Sequence, residues 1–267
     1  MGRFISDRKD RLMADEIMKK EEATLATPMP DDMPLGFGDD DDPSDLIIPR
    51  IKIMQALSPE VQDGKAKLGT LINSLTLENV TDKTFVPVCK FNNHVLWRDR
   101  NEGGGIICRA ADGKLGLMED GTTRYCAQCR KCEFDNTKQG KDARPTCTKY
   151  INFLGFFVDD PTPIILSFSK TNMKEGKQMY SMAKVSRQNI WNFGYKLQIV
   201  QRSNATNRWF VIQPVNDGPT TEDLRAIGMD LYRQFAGSMT TVNYDMSDGY
   251  NSTETTVEVA SNEDSPF

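Results

Sequence analysis

Five cysteines within a 40-residue stretch constrain this chain more than any other feature of its sequence. Three of them, Cys126, Cys129 and Cys132, lie in the run CAQCRKC, and Cys108 and Cys147 flank that run. A Cys-x-x-Cys turn lets two thiolates meet one tetrahedral zinc ion, and two distant cysteines complete the shell. The segment between Cys132 and Cys147 is too polar to fold by apolar burial. The spacing therefore predicts a zinc-binding insertion over residues 103–149.

The preferred zinc ligands are Cys108, Cys129, Cys132 and Cys147, with Cys126 as the alternative within the CAQCRKC run. Four protein thiolates leave no open coordination position, so the zinc is expected to be structural. A redox-active cysteine pair and incidental free thiols are the other interpretations.

The only histidine and the sixth cysteine lie outside this cluster. His94 falls in a predicted strand, and we interpret it as a residue of the folded body, with metal contact as the alternative. Cys89 lies in the middle of the same strand and is interpreted as a core residue.

The net charge of −5 conceals three segments of different sign. Residues 1–45 hold 6 Lys and Arg against 13 Asp and Glu, and residues 211–267 hold 2 against 10. Residues 46–210 hold 25 against 15. A basic middle between acidic ends is typical of a body that binds a polyanion, with flanks that compete for the same surface or engage partners. Ordinary surface charge is the alternative.

The same segments suggest the domain organisation. Residues 1–45 are predicted to form an acidic arm, part helix and part disordered linker, because they are rich in proline and aspartate. Residues 46–236 form the folded core, and the polar residues 237–267 are predicted to be a disordered acidic tail. No apolar run approaches the roughly 18 residues of a membrane span, and no secretion signal is evident. We therefore expect a cytosolic protein without a membrane partner.

Within the core, β-type segments dominate. Strands are predicted at residues 69–77, 85–97 with a bend near Pro87, 150–158, 163–169, 197–203 and 209–214. Helices are predicted at residues 174–191 and 222–235, the second with Leu224, Ile227, Leu231 and Phe235 on one face. These elements favour a mainly β, OB-fold-like barrel with the zinc-binding insertion and one or two packed helices. An open antiparallel sandwich is the alternative.

Aromatic side chains lie within two positions of a cation at several points of the basic segment. Cations that follow phosphates and rings that stack on bases are what binding to single strands without sequence readout requires. The candidate DNA-binding residues are Lys52, Lys90, Trp97, Arg98, Arg100, Lys149, Tyr150, Lys170, Lys196, Arg208 and Trp209. Core packing is the alternative for each aromatic, because adjacent strand residues point to opposite faces.

The last residues of the sequence include Glu263, Asp264, Pro266 and Phe267. This ending resembles the tip of bacterial single-stranded DNA-binding proteins, which is a short acidic stretch followed by Pro-Phe. The resemblance implies that these four residues recruit replication or recombination proteins such as a polymerase, helicase or nuclease. An apolar pocket for the ring and a basic residue for the carboxylate would suffice for such recognition. A chance Pro-Phe ending on an ordinary acidic tail is the alternative.

The body carries a second resemblance. The order of residues 48–52, residues 103–108, the Cys-x-x-Cys motif and residues 145–153 is similar to phage proteins encoded among replication genes. The helix-destabilising protein of T4-type phages likewise combines an OB-fold, a zinc subdomain and an acidic end, although its histidine ligand has no assigned counterpart here. The resemblance implies a single-stranded DNA-binding protein in phage DNA replication, recombination or repair, in the cytosol of the infected cell.

Other function classes have less support. The sequence lacks a P-loop, a nucleophile elbow and a His-Glu-x-x-His motif, so no enzyme is predicted. A zinc-ribbon transcription regulator or duplex DNA-binding protein is the main alternative. A virion or scaffold protein is a further one.

Overall fold

The computed structural model describes residues 47–99, 102–131, 133, 137, 145–205, 207–237 and 243–244. The chain divides into two units, Met1–Asp42 and Pro43–Phe267, and every described residue belongs to the second unit. The predicted N-terminal arm, most of the predicted tail with its Pro-Phe tip, Arg100 and Cys132 lie outside the described residues. The expectations for them stay predictions.

The described residues are mainly β, as predicted. The strands are β1 (Ile47–Ile48), β2 (Arg50–Ile53), β3 (Leu71–Asn73), β4 (Thr84–Trp97), β5 (Ile106–Ala110), β6 (Leu115–Met118), β7 (Thr123–Tyr125), β8 (Cys147–Phe157), β9 (Asp160–Ser169), β10 (Phe193–Ser203), β11 (Arg208–Pro219) and β12 (Asn243–Tyr244). The helices are α1 (Pro59–Gln62), α2 (Cys126–Cys129), α3 (Met173–Val185) and α4 (Glu222–Phe235), with 3-10 turns at Lys170–Asn172 and Ile190–Asn192. No helix in this part of the chain combines the length and apolar character needed to cross a membrane.

One large mixed sheet holds most of the strands, in the order β3, β2, β9, β8, β4, β5, β6, β7. An antiparallel meander of β4, β8 and β9 forms its centre, and β2 joins β9 in parallel. The hairpin of β10 and β11 branches from the start of β4, where Tyr195 pairs with Phe85. A separate parallel pair joins β1 to β12.

The connectivity is that of an OB-like fold. The meander β4, β8, β9 is followed by helix α3 and then by the β10–β11 hairpin, which returns to pair with β4. Strands β5, β6 and β7 with α2 form the insertion between the first two strands of this series. The OB-fold-like class is therefore confirmed, and the insertion falls in the loop that often contributes to ligand binding in such folds.

The described strands leave the barrel open between β11 and the strands β2 and β9. Among the described strands, no backbone ladder joins β11 back to β2 or β9. The side chain of Gln55 bridges this gap, because its Nε2 donates to the carbonyl of Phe210 at 2.8 Å and its Oε1 accepts from the Phe210 N–H at 3.0 Å. A single side-chain amide thus takes the place of a strand pairing.

The core lies inside this half-closed barrel. Alternate residues of the central strands meet there, and α3 covers it with Met179. Its large, fully buried members are Phe85, Phe153, Phe168, Leu71, Leu166 and Tyr195. Phe153 and Phe168 meet edge to face with centroids 6.0 Å apart, an arrangement that adds to area burial.

The two long helices differ in how well their observed bounds match the bounds predicted from the sequence. Helix α4 has the predicted bounds, and its Leu224, Ile227 and Leu231 pack against Val86, Val88 and Phe156. Helix α3 was predicted to run to residue 191 but ends at Val185. Arg187 follows in the left-handed region with φ of 54°, which ends the helical hydrogen-bond series. The prediction of one continuous helix was therefore wrong.

A partly buried ion pair joins α3 to the hairpin. Arg202 Nη2 donates to Glu175 Oε1 at 2.6 Å, and the side chains are 40% and 3% exposed respectively. Losing the arginine would leave a buried carboxylate without its cation, whereas losing the carboxylate leaves a guanidinium that water reaches. We expect Arg202→Met to lower the free energy of unfolding by about 3 kcal/mol and Glu175→Gln by about 1 kcal/mol. Urea denaturation measures both, and equal losses would contradict this asymmetry.

Candidate metal centre and nucleic-acid interface

Three neighbouring strands place the two flanking cysteines on one face of the sheet. Leu96 of β4 pairs with Cys108 of β5 on one side and with Cys147 of β8 on the other. Directly paired residues present their side chains to the same face, and so do residues two apart in one strand. His94, two positions before Leu96, therefore shares this face with both cysteines.

The Cys-x-x-Cys turn is α2 itself, and backbone hydrogen bonds hold it beside that face. The N–H of Cys126 donates to the carbonyl of Lys114, just before β6, at 2.8 Å. The N–H of Cys147, the first residue of β8, donates to the carbonyl of Lys131 at 2.9 Å. These bonds tie the start of the turn to the beginning of β6 and the residue after the turn to the beginning of β8.

A cavity of about 30 Å³ lies between α2 and the sheet. This volume exceeds the roughly 10–15 Å³ that a cavity needs to hold one water molecule, so a single ion can occupy it. The lining residues are His94, Leu96, Cys108, Ala110, Met118, Arg124, Cys126, Cys129, Lys131 and Cys147. The structure thus gathers three of the preferred cysteines together with the alternative, Cys126.

The cavity lining brings the candidate ligands together, whereas the distances between them are still too long for a bound ion. As the side chains stand, no three His, Cys, Asp or Glu residues of the described chain are close enough to hold an ion. His94 and the cysteines nevertheless converge on one wall from four separate segments, which are β4, β5, α2 and β8. Metal sites commonly reach their ligand geometry only when the metal binds. The sulfurs would then have to draw inward to the zinc–sulfur distance of about 2.3 Å.

The surroundings of the thiols fit zinc. A Cβ at Gly116 would lie 2.5 Å from Cys108 Sγ, so a glycine is needed there to leave room for the sulfur. Burial and the nearby Cys129 raise the pKa of Cys108, while Arg124 and Lys131 act in the opposite direction. Soft thiolates select zinc, and a zinc ion with four thiolates carries a net charge of −2 that those two cations would offset.

His94 lies closer to the candidate metal site than its sequence position predicted. It lies in strand β4, as interpreted, but its side chain also lines the cavity, and its Nδ1 is buried without a hydrogen-bond partner in the described residues. Burial and the charge of Lys149 lower the pKa of its imidazole. A neutral imidazole in this position is competent to bind metal.

Cys89 stands apart from this cavity. It packs against Leu154 and Ile165 in a separate apolar cluster, and burial raises the pKa of its thiol to about 11. It therefore serves as the natural control for substitutions of the cavity cysteines.

Exposed cations lie on the neighbouring elements β8, the turn after β9, and β11 of the hairpin. Tyr150 pairs with Ser169, which brings Lys149 beside Lys170. The turn Lys170–Asn172 packs against β11, whose first residue is Arg208. Lys149, Lys170 and Arg208 are all exposed, and we call these three residues the cationic rim.

The candidate aromatics lie in three different environments. Trp97 and Trp209 are half-buried, and the indole N–H of Trp209 has no hydrogen-bond partner in the described part of the chain. Tyr150 is only 9% exposed and is a buried residue of β8. A base could reach its ring only after neighbouring groups move, so the core interpretation of this residue describes the structure better.

Other candidate cations are not part of the rim. Lys52 forms an ion pair with Glu60 at 2.7 Å, and Arg98 forms one with Glu119. The Nζ of Lys90 lies 4.9 Å from the ring centroid of Tyr180, and burial lowers its pKa. Lys196 pairs with Thr84 at the start of β4, away from the insertion.

A family model described as Pam3 phage gp34-like protein matches residues 19–241, which is most of the chain. The chain belongs to the Pam3 phage gp34-like family. It is therefore a phage protein, as the resemblance of its body implied. No curated protein and no solved structure matches it. The span shared with the Pam3 phage gp34-like family contains every cavity residue and the whole cationic rim.

Sequence reasoning missed a polar group in the sheet of this Pam3 phage gp34-like chain. Asn152 Nδ2 donates to Asn93 Oδ1 at 2.6 Å, and Ser167 Oγ donates to Asn152 Oδ1 at 2.7 Å, with both asparagines buried. A polar residue in a strand is ordinarily expected at the surface, so no local signal could have revealed this buried ladder.

Proposed function

We propose that this chain is a single-stranded DNA-binding protein that acts in phage DNA replication, recombination or repair. The observation that carries the proposal is the presence of the cationic rim on an OB-like fold. In OB-folds, oligonucleotides bind across the second and third strands and the loops beside them. The counterparts here are β8 and β9, the insertion after β4, and the turn between β10 and β11.

Binding would rest on two kinds of contact. Lys149, Lys170 and Arg208 would meet phosphates, and the release of counterions would make the affinity fall as salt rises. Trp97 and Trp209 would stack on bases, which every base permits, so the protein would not read sequence. The remaining candidates, apart from the buried Tyr150, are secondary contacts in this proposal.

The insertion would hold a structural zinc ion. Cys108, Cys126, Cys129 and Cys147, which line the cavity, are the residues that would hold it, with Cys132 as the further candidate. When bound, the ion would supply folding free energy to a segment that lacks an apolar core. The chain's own residues would orient the thiols and offset their charge, and we propose no catalytic step.

The acidic tail would recruit the partners. Glu263, Asp264, Pro266 and Phe267 would engage a polymerase, helicase or nuclease of the replication or recombination machinery in the cytosol of the infected cell. The acidic residues would steer the encounter, and the ring would enter an apolar pocket on the partner.

Fluorescence titration with poly(dT) at several salt concentrations tests the proposal. We expect quenching from stacked tryptophans and an affinity whose logarithm falls linearly with the logarithm of salt, by about 0.7 per phosphate contacted. Trp97→Phe and Trp209→Phe should each remove part of the quenching. Trp191, which packs under α4, should contribute little. Binding that ignores salt, with no quenching, would count against the proposal.

A further inference from the structure

The insertion exposes an apolar surface that the proposed function does not yet use. Leu115, Leu117 and Tyr125 are 40%, 57% and 59% exposed. Leu115 pairs directly with Tyr125, so the three side chains form one patch on β6 and β7. Their strand neighbours Gly116 and Arg124 face the metal cavity side, which places the patch on the opposite face of the same strands. We call these three residues the insertion patch.

The insertion patch continues the sheet face that carries Val95 and Arg109. Val95 pairs with Arg109, and Arg109 pairs with Leu117, so these three side chains share one face. Trp97 follows a register shift at Leu96 and pairs with Ile106. Tyr125 lies three strand spacings from β4, about 14 Å, and four residues further along the strands, about 13 Å, so roughly 20 Å separates it from Trp97. An extended single strand of the length that an OB-fold binds spans this separation.

The charges around the patch favour an anionic occupant. Lys114, Arg130 and Lys131 are exposed at the end where Tyr125 lies. Three of the nearby acids are engaged, and Glu133 is exposed. Asp120 Oδ1 accepts from the N–H and the hydroxyl of Thr122. Asp112 Oδ1 accepts from the N–H groups of Lys114 and Leu115, and Glu119 is held by Arg98.

These observations point to one kind of ligand. We propose that Tyr125 stacks on a base of bound single-stranded DNA, with Leu115 and Leu117 beside the same base and the neighbouring cations on its phosphates. The inference rests on the proposed function and adds to it, because it gives the insertion a direct contact with the strand beyond holding its own fold. An aromatic ring flanked by cations is the arrangement that single-strand binding uses.

Three substitutions at Tyr125 separate stacking from other roles. Tyr125→Phe keeps the ring, Tyr125→Leu keeps apolar area without a ring, and Tyr125→Ala keeps neither. Tyr232→Leu is the matched control, since Tyr232 is 43% exposed on α4. Zinc content and thermal unfolding of each full-length variant verify that the insertion remains folded, because Tyr125 precedes Cys126.

The measurement is the affinity for a dT oligonucleotide at fixed salt. We expect Tyr125→Ala and Tyr125→Leu to weaken binding by about five- to 150-fold, the range that corresponds to the loss of one stacked base. Tyr125→Phe and Tyr232→Leu should stay within about twofold of wild type. The salt slope should not change.

Two results would overturn the inference while leaving the proposed function intact. In one, the wild-type chain binds the oligonucleotide and Tyr125→Leu binds it equally well. In the other, Tyr125→Leu loses self-association in gel filtration with light scattering while its DNA affinity is unchanged, which would assign the patch to protein contact. If the wild-type chain itself binds no oligonucleotide, the proposed function fails and the stacking role fails with it.

Discussion

Replacing Cys108 and Cys129 together by serine is expected to abolish stoichiometric zinc binding by the full-length chain, because the three remaining candidate thiols are too few for a four-thiolate site. Cys129 lines the cavity with three other described thiols, and its sulfur is close enough to Cys108 to raise that thiol's pKa. Serine is a poor zinc ligand, so the loss of affinity should exceed the roughly 100-fold that follows from removing a hydrogen bond that supports a metal ligand. Plasma emission spectrometry of the dialysed protein gives the zinc content, and we expect about one ion per wild-type chain.

Cys89→Ser is the matched control for this experiment. Cys89 packs in a separate apolar cluster, so its substitution should leave the zinc content unchanged. The loss of zinc should also make the segment around residues 103–149 more sensitive to proteolysis, because the metal supplies stability that apolar burial does not. A wild-type chain that retains no zinc after purification without chelator would refute the metal centre.

Reversing two charges of the cationic rim is expected to have the largest effect on DNA affinity. Lys149 and Arg208 are exposed and lie on separate strands, so Lys149→Glu with Arg208→Glu should leave the core intact. Each reversal replaces an attraction to phosphate with a repulsion, and we expect a loss of about tenfold or more per charge at low salt. The slope of log affinity against log salt should become shallower by about 0.7 for each lost contact.

Arg233→Glu is the matched control for the rim. Arg233 has a side chain that is 68% exposed on α4 and that pairs, among the described residues, with Asp230 at 3.4 Å. An equal loss of affinity from Arg233→Glu would mean that overall charge, rather than the rim, governs binding. Fluorescence anisotropy with a labelled oligonucleotide at several salt concentrations measures all three proteins.

Strands, helices and turns that depend on the pattern of neighbouring residues could be predicted from the sequence. The long strand with a bend near Pro87 is β4, whose pairing with β8 shifts register between Pro87 and Cys89. The helix at residues 222–235 also has the predicted bounds, because its apolar spacing is a local signal. The turn-forming residues between β10 and β11 likewise predicted the hairpin correctly.

Features that depend on long-range contact could not be predicted. The seam closed by Gln55 and Phe210 joins residues 155 positions apart in the chain. The pairing of Leu96 with both Cys108 and Cys147 decides that these cysteines share a face with His94, and only the register reveals it. Tyr150 illustrates the same limit, since alternation in a strand gives two faces but does not say which of them is covered.

The proposed function rests on a preference for unpaired strands, so a competition assay tests it most directly. A labelled dT oligonucleotide is bound to the protein at modest ionic strength and challenged with unlabelled single-stranded or duplex DNA of equal length. We expect the single strand to displace the label at a concentration at least about tenfold below that of the duplex, because stacking on Trp97 and Trp209 requires exposed bases. Equal displacement by the two competitors, or stronger displacement by the duplex, would contradict the proposal and favour a duplex-binding regulator.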